Sequence, residues 1–166
     1  LPANTSTRRF QPKKPLDLVS IDHFQYTTVT ARHGYTSIFS IKDEFSRFVT
    51  IIPVYTHSIK EAVHNLKLYV AFFGQIGHLH YDNFFDCAAM DEFCEENGID
   101  HSTSPGYRSN ANGAVERCHR DLRKTIPLLM EGLDIPLHQW SDVLHLAASH
   151  LNLGVCRMTG FAPYML

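Results

Sequence analysis

Three strand-like segments joined by short connections begin the folded part of this chain, and helices then alternate with two short strands. The first three segments cover residues 16–26, 35–41 and 47–54. Their short connections predict an antiparallel meander. The later strands are predicted at residues 76–81 and 99–102, with helical patterns around them. This order predicts an α/β fold in which a mixed sheet is covered by helices.

Apolar residues at helical spacing predict three helices, over residues 58–73, 86–96 and 138–153. Ser58 and Glu61 fit a capping box at the start of the first helix, in which each side chain satisfies a free backbone N–H. A further, long helix is expected to begin near Asn112 or Gly113. Pro127 is expected to kink or end this helix, because proline removes a backbone donor.

The composition fits a single globular domain with a sizeable core. The chain has 166 residues, of which 44% are hydrophobic and 19% are charged. Residues 1–15 are polar and basic, so we expect an N-terminal arm or linker before a core domain over residues 16–166. No apolar run approaches the ~20 residues of a membrane span, and no membrane partner is expected. Because the formal net charge is −2, nucleic-acid contacts have to come from local basic patches.

Cysteine and histidine usage does not predict a zinc site. The four cysteines, Cys87, Cys94, Cys118 and Cys156, include no CxxC pair. We therefore expect reduced and mostly buried thiols, as in an intracellular protein, in preference to disulfides or zinc. The 11 histidines have no cysteine pair beside them that would complete a structural zinc centre.

Three acidic residues stand out from the patterns around them. Asp22 is expected on the same strand face as Leu16 and Phe24, where an unpaired carboxylate is costly. Asp82 directly follows the fourth predicted strand, and ligands bind at the carboxyl ends of strands in open sheets. Glu116 lies near the start of the long helix. Each also has an ordinary structural interpretation: an aspartate that reaches solvent, an Asp-Asn turn, and an acid favoured by the helix dipole.

Together the three acids predict a site for hard divalent cations. Carboxylates that approach each other stay ionised only when cations lie between them, and oxygen ligands favour Mg²⁺ or Mn²⁺. Two such ions, about 4 Å apart, can activate a water or hydroxyl and stabilise the leaving oxygen of a phosphodiester. Glu116, Arg120 and Arg123 share one helix face, so acid and bases point the same way. The alternative is a solvated ion pair between Glu116 and Arg120.

These motifs together resemble the catalytic core of retroviral and LTR-retrotransposon integrases. The segments that carry the resemblance are LVSIDHF, YTSIFSIKDEFSRFVTIIPV, LHYDNFF, FCEENGIDHSTSPGYRSNANGAVERCHRDL and TGFAPYML. The resemblance covers nearly the whole chain after the arm, and the order of the motifs with NGxxER makes it specific. It implies an RNase H-like fold, with a mixed five-stranded sheet of a three-stranded antiparallel meander plus two parallel strands, flanked by helices.

The resemblance also implies a chemistry. Asp22, Asp82 and Glu116 match the family's catalytic, metal-ligating triad, which implies two Mg²⁺ ions in the active complex, with Mn²⁺ able to substitute. The implied activity is that of a Mg-dependent polynucleotidyl transferase and endonuclease. Such an enzyme hydrolyses the 3′ ends of element DNA and transfers them into target DNA.

Contacts with DNA are implied in the same way. The residues that match DNA-contacting positions are Tyr107, Arg108, Asn112, Arg120, Arg123, Lys124 and Asn83. Arginine suits this role because its planar guanidinium donates well to phosphate. The implied partners are the element ends, the target DNA and further copies of the chain, as a homodimer or higher homo-oligomer. We expect a nuclear or cytoplasmic, and so intracellular, nucleoprotein complex.

One stretch departs from the family pattern. Asp82 and Glu116 are separated by 33 residues (116 − 82 − 1), fewer than the family usually has, and Phe84 follows Asp82-Asn83 directly. A shortened turn either trims a loop or moves Asp82. Two hypotheses therefore stay open: an active integrase core, or a catalytically inactive, domesticated derivative acting in DNA binding or dimerisation. A different RNase H-like nuclease or transposase matches the NGxxER motif less well.

The full-length integrases of this family carry further domains. No His-His-Cys-Cys zinc module precedes Leu16, and no small β-barrel segment follows the core. We therefore expect this chain to be a core domain or a fragment. The modest net charge fits that expectation, because the other domains of these integrases usually make many of the DNA contacts.

Overall fold

The sheet has the mixed topology that the sequence predicts. The computed structural model describes residues 11–103 and 113–166, with side chains described from residue 117 onwards in the second range. The strands there are β1 Leu18–Phe24, β2 Ser37–Asp43, β3 Val49–Val54, β4 His78–Tyr81 and β5 Asp100–Thr103. They lie in the order β3-β2-β1-β4-β5. β2 pairs antiparallel with β1 and β3, and β4 pairs parallel with β1 and β5, which confirms the meander and the parallel strands.

Helices cover both faces of this sheet. They are α1 Ile59–Phe73, α2 Ala88–Asn97, α3 Gly113–Gly132 and α4 Leu144–Leu153, with 3-10 segments at Leu137–Val143 and Pro163–Met165. Val19 and Ile21 of β1 pack in a first core with residues of α1 and α2. Phe24 packs in a second core with residues of α3 and α4. β1 is therefore a central strand with apolar contacts on both faces.

Leu16 does not share the strand face of Asp22, so that part of the expectation is wrong. Leu16 precedes β1, has a φ of 65°, and packs against the first core. Phe24 belongs to the second core. Side chains alternate along a strand, so Asp22 lies on the Phe24 face, toward α3. The left-handed backbone at Leu16 breaks the two-residue period before the strand begins.

α3 continues through Pro127 to Gly132, so the proline does not end the helix. Ile126 and Met130, on either side of it, are buried in the second core. Tertiary packing therefore holds this part of α3 in helical form despite the missing backbone donor.

The helix predicted over residues 138–153 is in fact a 3-10 segment followed by α4. Gln139 has non-helical dihedrals within the 3-10 segment. The carbonyl oxygen of His138 accepts a hydrogen bond from the backbone N–H of Arg32, at 2.7 Å. Because this carbonyl is directed to the β1–β2 connection, the regular α-helix begins only at Leu144.

α1 begins with one half of the expected capping box. The Ser58 hydroxyl accepts a hydrogen bond from the Glu61 N–H at 3.3 Å. The Glu61 carboxylate accepts from the N–H groups of Tyr55 and Thr56, at 2.9 Å each, and so ties the end of β3 to α1. Burial raises the pKa of Glu61, but these hydrogen bonds outweigh it and lower the pKa overall.

Asp43 organises the β2–β3 hairpin. It is 2% exposed. One carboxylate oxygen accepts from the N–H groups of Leu16 and Phe45, and the other accepts from the N–H and the hydroxyl of Ser46. Each oxygen therefore has two protein donors, which satisfies a buried carboxylate without any ligand.

All four cysteines are free thiols, as expected. Cys94 and Cys118 are buried, and Cys87 and Cys156 are partly buried. Burial raises the pKa of Cys94 and of Cys118 to about 11. Across the described ranges, no helix has the length and apolar character needed to cross a membrane.

Candidate active site

Asp22 and Asp82 both lie toward the carboxyl edge of the sheet. Asp22 is in β1, and Asp82 directly follows β4, which pairs parallel with β1. The paired residues end at Ser20 and His80, two residues before Asp22 and Asp82 respectively. Ligands bind at the carboxyl ends of strands in open sheets, which is where these two acids lie.

The short turn after β4 is closed by hydrogen bonds to Asp82. The N–H of Phe84 donates to Asp82 Oδ1 at 3.0 Å, and the N–H of Phe85 donates to the Asp82 carbonyl at 3.1 Å. Phe85 is fully buried in the first core, which anchors the far side of the turn. Asn83 is exposed between them. Asp82 thus makes the Asp-Asn turn of its ordinary structural interpretation.

Ser40 of β2 and His119 of α3 both contact Asp22. The Ser40 hydroxyl lies 3.2 Å from the Asp22 carbonyl oxygen and 3.0 Å from His119 Nε2. His119 Nδ1 lies 3.7 Å from Asp22 Oδ2. A hydroxyl has one proton, so when Ser40 donates to the carbonyl it accepts from the Nε2–H of His119. A neutral His119 then has no proton on Nδ1 to donate to the Asp22 carboxylate.

His119 is neutral at physiological pH. Burial, together with the positive charges of Arg123 and Lys42, lowers the pKa of His119 to about 4. The imidazole therefore adds no positive charge beside the Asp22 carboxylate, whose side chain is 27% exposed.

α3 brings basic side chains to the same side of the sheet. The Arg123 guanidinium lies over the Phe24 ring, 4.5 Å from its centroid. His119 stacks on that ring with a centroid separation of 4.7 Å. Because Phe24 shares its strand face with Asp22, Arg123 is held on the Asp22 side of the sheet. Arg120 and Lys124 are exposed on the same helix.

The third acid, Glu116, lies in the first turn of α3, about one turn before His119. Since His119 contacts Asp22, the start of α3 lies on the Asp22 side of the sheet. The side chain of Glu116 lies outside the described residues, as do Tyr107, Arg108 and Asn112. The roles expected for all the site residues stay predictions.

The ligand chemistry of the two described acids suits a hard cation. Asp22 and Asp82 offer carboxylate oxygens, which Mg²⁺ and Mn²⁺ prefer. Within residues 11–103 and 117–166, no group of three or more His, Cys, Asp or Glu side chains could hold a metal ion. The third acid of the predicted site, Glu116, has its side chain outside these ranges, so the metal site stays a prediction.

The sequence did not point to Ser40 or His119. His119 is three residues after Glu116, so helical spacing alone could have placed it near the same face. Ser40 could be found only from the strand register, which pairs it with Asp22.

Nor did the sequence point to a group of rings at the same edge of the sheet, which we call the edge aromatic cluster: His23, Phe39, His57, Phe84 and Phe85. The His23 ring stacks on Phe85 at 5.2 Å and meets the His57 ring edge-on at 4.2 Å. Its two ring nitrogens are buried and have no hydrogen-bond partner among the described residues. Burial and the neighbouring His57 lower the pKa of His23 to about 4.

Comparison with known protein families agrees with this architecture. The family model described as the integrase core domain matches residues 12–109, which is more than half of the chain. The chain belongs to the integrase core domain family. Membership associates it with DNA integration in general.

Curated relatives of this integrase core are retroelement polyproteins. It is 28% identical over 142 residues to the retrovirus-related Pol polyprotein from transposon RE1 of Arabidopsis thaliana, covering 84% of this chain and 10% of the relative. It is 23% identical over 157 residues to the Pro-Pol polyprotein of simian foamy virus type 3 (strain LK3), covering 94% of this chain and 13% of that protein. The chain thus spans roughly a tenth of the length of these relatives.

Solved integrase cores share its fold. The HTLV-2 integrase catalytic core domain in complex with magnesium (trimeric form) matches with a TM-score of 0.73 and 21% identity, over 93% of this chain and 98% of that one. The catalytic core domain of BIV integrase matches with a TM-score of 0.70 and 22% identity, over 90% and 91%. The predicted RNase H-like integrase fold is confirmed.

Proposed function

We propose that this integrase core catalyses metal-dependent phosphoryl transfer on DNA, first hydrolysing the 3′ end of element DNA and then joining it to target DNA. The observation that supports the proposal is the placement of Asp22 on β1 and of Asp82 directly after β4, the adjacent parallel strand, toward the carboxyl edge of the sheet. Membership of the integrase family agrees with it.

Asp22, Asp82 and Glu116 are the proposed ligands of two Mg²⁺ ions, for which Mn²⁺ can substitute. When bound, such ions polarise phosphoryl oxygens and lower the pKa of a bound water. Asp82 is held for this role by the Phe84 N–H on its Oδ1. The neutral His119 beside Asp22 adds no positive charge that would compete with a cation.

The proposed reactions balance without an energy source. In the first, the oxygen of water bonds to phosphorus, the bond from phosphorus to the 3′ oxygen breaks, and that oxygen takes up a proton. In the second, the freed 3′ hydroxyl loses its proton and its oxygen bonds to a target phosphorus, while the bond from that phosphorus to the target 3′ oxygen breaks and that oxygen takes up a proton. One phosphodiester bond is made for each one broken in this joining step.

The proposed DNA contacts extend from this site. Arg123, held over Phe24, has the placement to reach a phosphate beside Asp22. The other contacts proposed are Arg120 and Lys124 on α3, Asn83 in the short turn, and the loop residues Tyr107, Arg108 and Asn112. Residues 16–166 would be the catalytic unit, with residues 1–15 as a linker. We propose that this catalytic unit acts as a homodimer or higher homo-oligomer in a nuclear or cytoplasmic nucleoprotein complex.

The test is strand transfer, and its reversal on a branched DNA substrate, with Mg²⁺ or Mn²⁺. Glu116→Gln is expected to abolish activity while its circular dichroism melt matches that of the unaltered protein. Glu131→Gln, at the far end of the same helix, is the matched control and is expected to stay active. An inactive unaltered protein that also binds no Mn²⁺ at millimolar concentration would overturn the proposal and favour a non-catalytic DNA-binding or dimerising role.

A further inference from the structure

Phe84 presents an aromatic ring to solvent directly beside the candidate active site. Its side chain is 43% exposed. Its backbone N–H is bonded to Asp82 Oδ1, so ring and carboxylate belong to one short turn. The ring packs on His23, on the first-core face of β1, and the turn joins it to the Asp82 carboxylate at the carboxyl edge of the sheet.

Other rings of the edge aromatic cluster fix the orientation of Phe84. The His57 ring lies 4.3 Å from it, centroid to centroid, tilted by 42°. Phe85 and His23 meet it nearly perpendicularly, at 5.1 Å and 5.7 Å. Phe85 is fully buried, so the support beneath Phe84 belongs to the protein core. Phe84 is therefore an exposed ring on a rigid base.

Phe72 on α1 shows what an ordinary exposed aromatic looks like in this protein. It is 82% exposed, and no described ring contacts it. Scattered exposed apolar side chains are common on protein surfaces and imply nothing by themselves. Phe84 differs because its orientation is already fixed, which lowers the entropy lost when a ligand stacks on it.

We propose that Phe84 is a stacking platform for an unpaired nucleobase next to the reacting phosphodiester. The proposal rests on the proposed function, because that function brings DNA to Asp22 and Asp82. Aromatic rings bind bases largely irrespective of sequence, since every base has a π-face. The base belongs either to the element end or to the target strand, and the chemistry of stacking is the same for both.

The experiment uses the 166-residue chain and a branched DNA with one 2-aminopurine beside the junction, in the element arm or in the target arm. Stacking on a ring quenches this fluorescent base. We expect quenching in one arm with the unaltered protein and with Phe84→Tyr. We expect its loss with Phe84→Ala and its retention with Phe72→Ala. Thermal melts check that every variant is folded.

Kinetics with an abasic site at the quenched position separate stacking from a purely structural role. On intact DNA, Phe84→Ala is expected to raise KM by roughly 5- to 150-fold, the range for loss of one base–aromatic stack. On abasic DNA the unaltered protein and Phe84→Ala are expected to have similar KM values. A variant that loses the same factor on both substrates, through displacement of Asp82, would overturn the proposal.

The two proposals fail in different ways. If the protein joins no DNA but quenching still depends on Phe84, stacking stands and the catalytic proposal falls. If the protein is active while Phe84→Ala equals the unaltered protein in quenching and KM, stacking falls and the catalytic proposal stands.

Discussion

Asp43 and Asp22 lie near opposite ends of the paired strands β2 and β1, in very different surroundings. Asp43 is 2% exposed and accepts hydrogen bonds from two backbone or side-chain donors on each oxygen. The Asp22 side chain is 27% exposed, and its Oδ2 lies 3.7 Å from the nitrogen of a neutral imidazole. Asp43 stabilises its hairpin through four protein donors, whereas Asp22 lies nearer to solvent toward the carboxyl end of β1, where a ligand can approach it.

The largest expected effect is a loss of strand-transfer activity, which should follow substitution of Asp22 and not of Asp43. Asp22→Asn removes a proposed metal ligand, so we expect strand transfer to fall by at least about 100-fold while the free energy of unfolding changes little. A strand-transfer assay with Mg²⁺ measures the loss of activity, and urea unfolding of the same preparation measures the free energy of unfolding. Asp100→Asn, at an exposed position on β5, is the control. An active Asp22→Asn would break the comparison.

Asp43→Asn is expected to show the opposite pattern. An amide NH₂ would face backbone donors where a carboxylate oxygen now accepts, so we expect the free energy of unfolding to fall by about 2–4 kcal/mol. Urea unfolding at neutral pH measures the change. The fraction that stays folded is expected to keep its metal-dependent activity. An unchanged unfolding midpoint would show that the hairpin does not depend on this carboxylate.

A third prediction concerns His23, which directly follows Asp22 in β1 and belongs to the edge aromatic cluster. The folded pKa of His23 is about 4, below its ordinary value of 6.5. Between these pH values the unfolded state binds more protons, so stability falls as pH falls from 6.5 toward 4. His119 acts with the same sign. We expect His23→Phe to make this fall shallower in urea unfolding measured across the window.

The control for this pH dependence is His64→Gln, an exposed position on α1. It is expected to leave the fall of stability between pH 6.5 and 4 unchanged. If His23→Phe and His64→Gln give the same pH profile, the burial of His23 is not responsible for the acid sensitivity.

The smallest expected effect concerns the basic side of the site. Arg123→Gln removes one proposed phosphate contact, so DNA affinity should weaken similarly for all sequences and the salt dependence should decrease by about one unit of log–log slope. Fluorescence anisotropy over a range of salt concentrations measures both. Lys67→Gln on α1, on the opposite side of the sheet, is the control. Equal slopes for the two variants would exclude Arg123 from the DNA contacts.

Local pattern predicted much of this fold. The five strands, their meander and the helices before and after β4 follow from residue periodicity and turn signals, which act over a few residues. The strand face of Leu16 and the start of α4 were wrongly predicted, and Pro127 does not end α3, because each depends on contacts with distant segments. The His138 carbonyl, for example, is occupied by the N–H of Arg32.

The residues of the candidate site also differ in whether the sequence alone could identify them. Asp22 and Asp82 could be proposed from their places on β1 and directly after β4, and their role as a site stays a prediction. The contact between Ser40 and His119 could not be predicted, because it spans 79 positions along the chain. The edge aromatic cluster likewise joins β1, β2 and two turns.

By itself, the sequence determined the order of strands and helices, the family and the three candidate acids, since these depend on residue types and short spacings. Only the tertiary structure decided that the short turn after β4 is closed by the Asp82 carboxylate, that burial keeps His119 neutral beside Asp22, and that Phe84 is exposed on a base of packed rings. Strand register, burial and ring packing set these features, and they arise only when distant segments pack together.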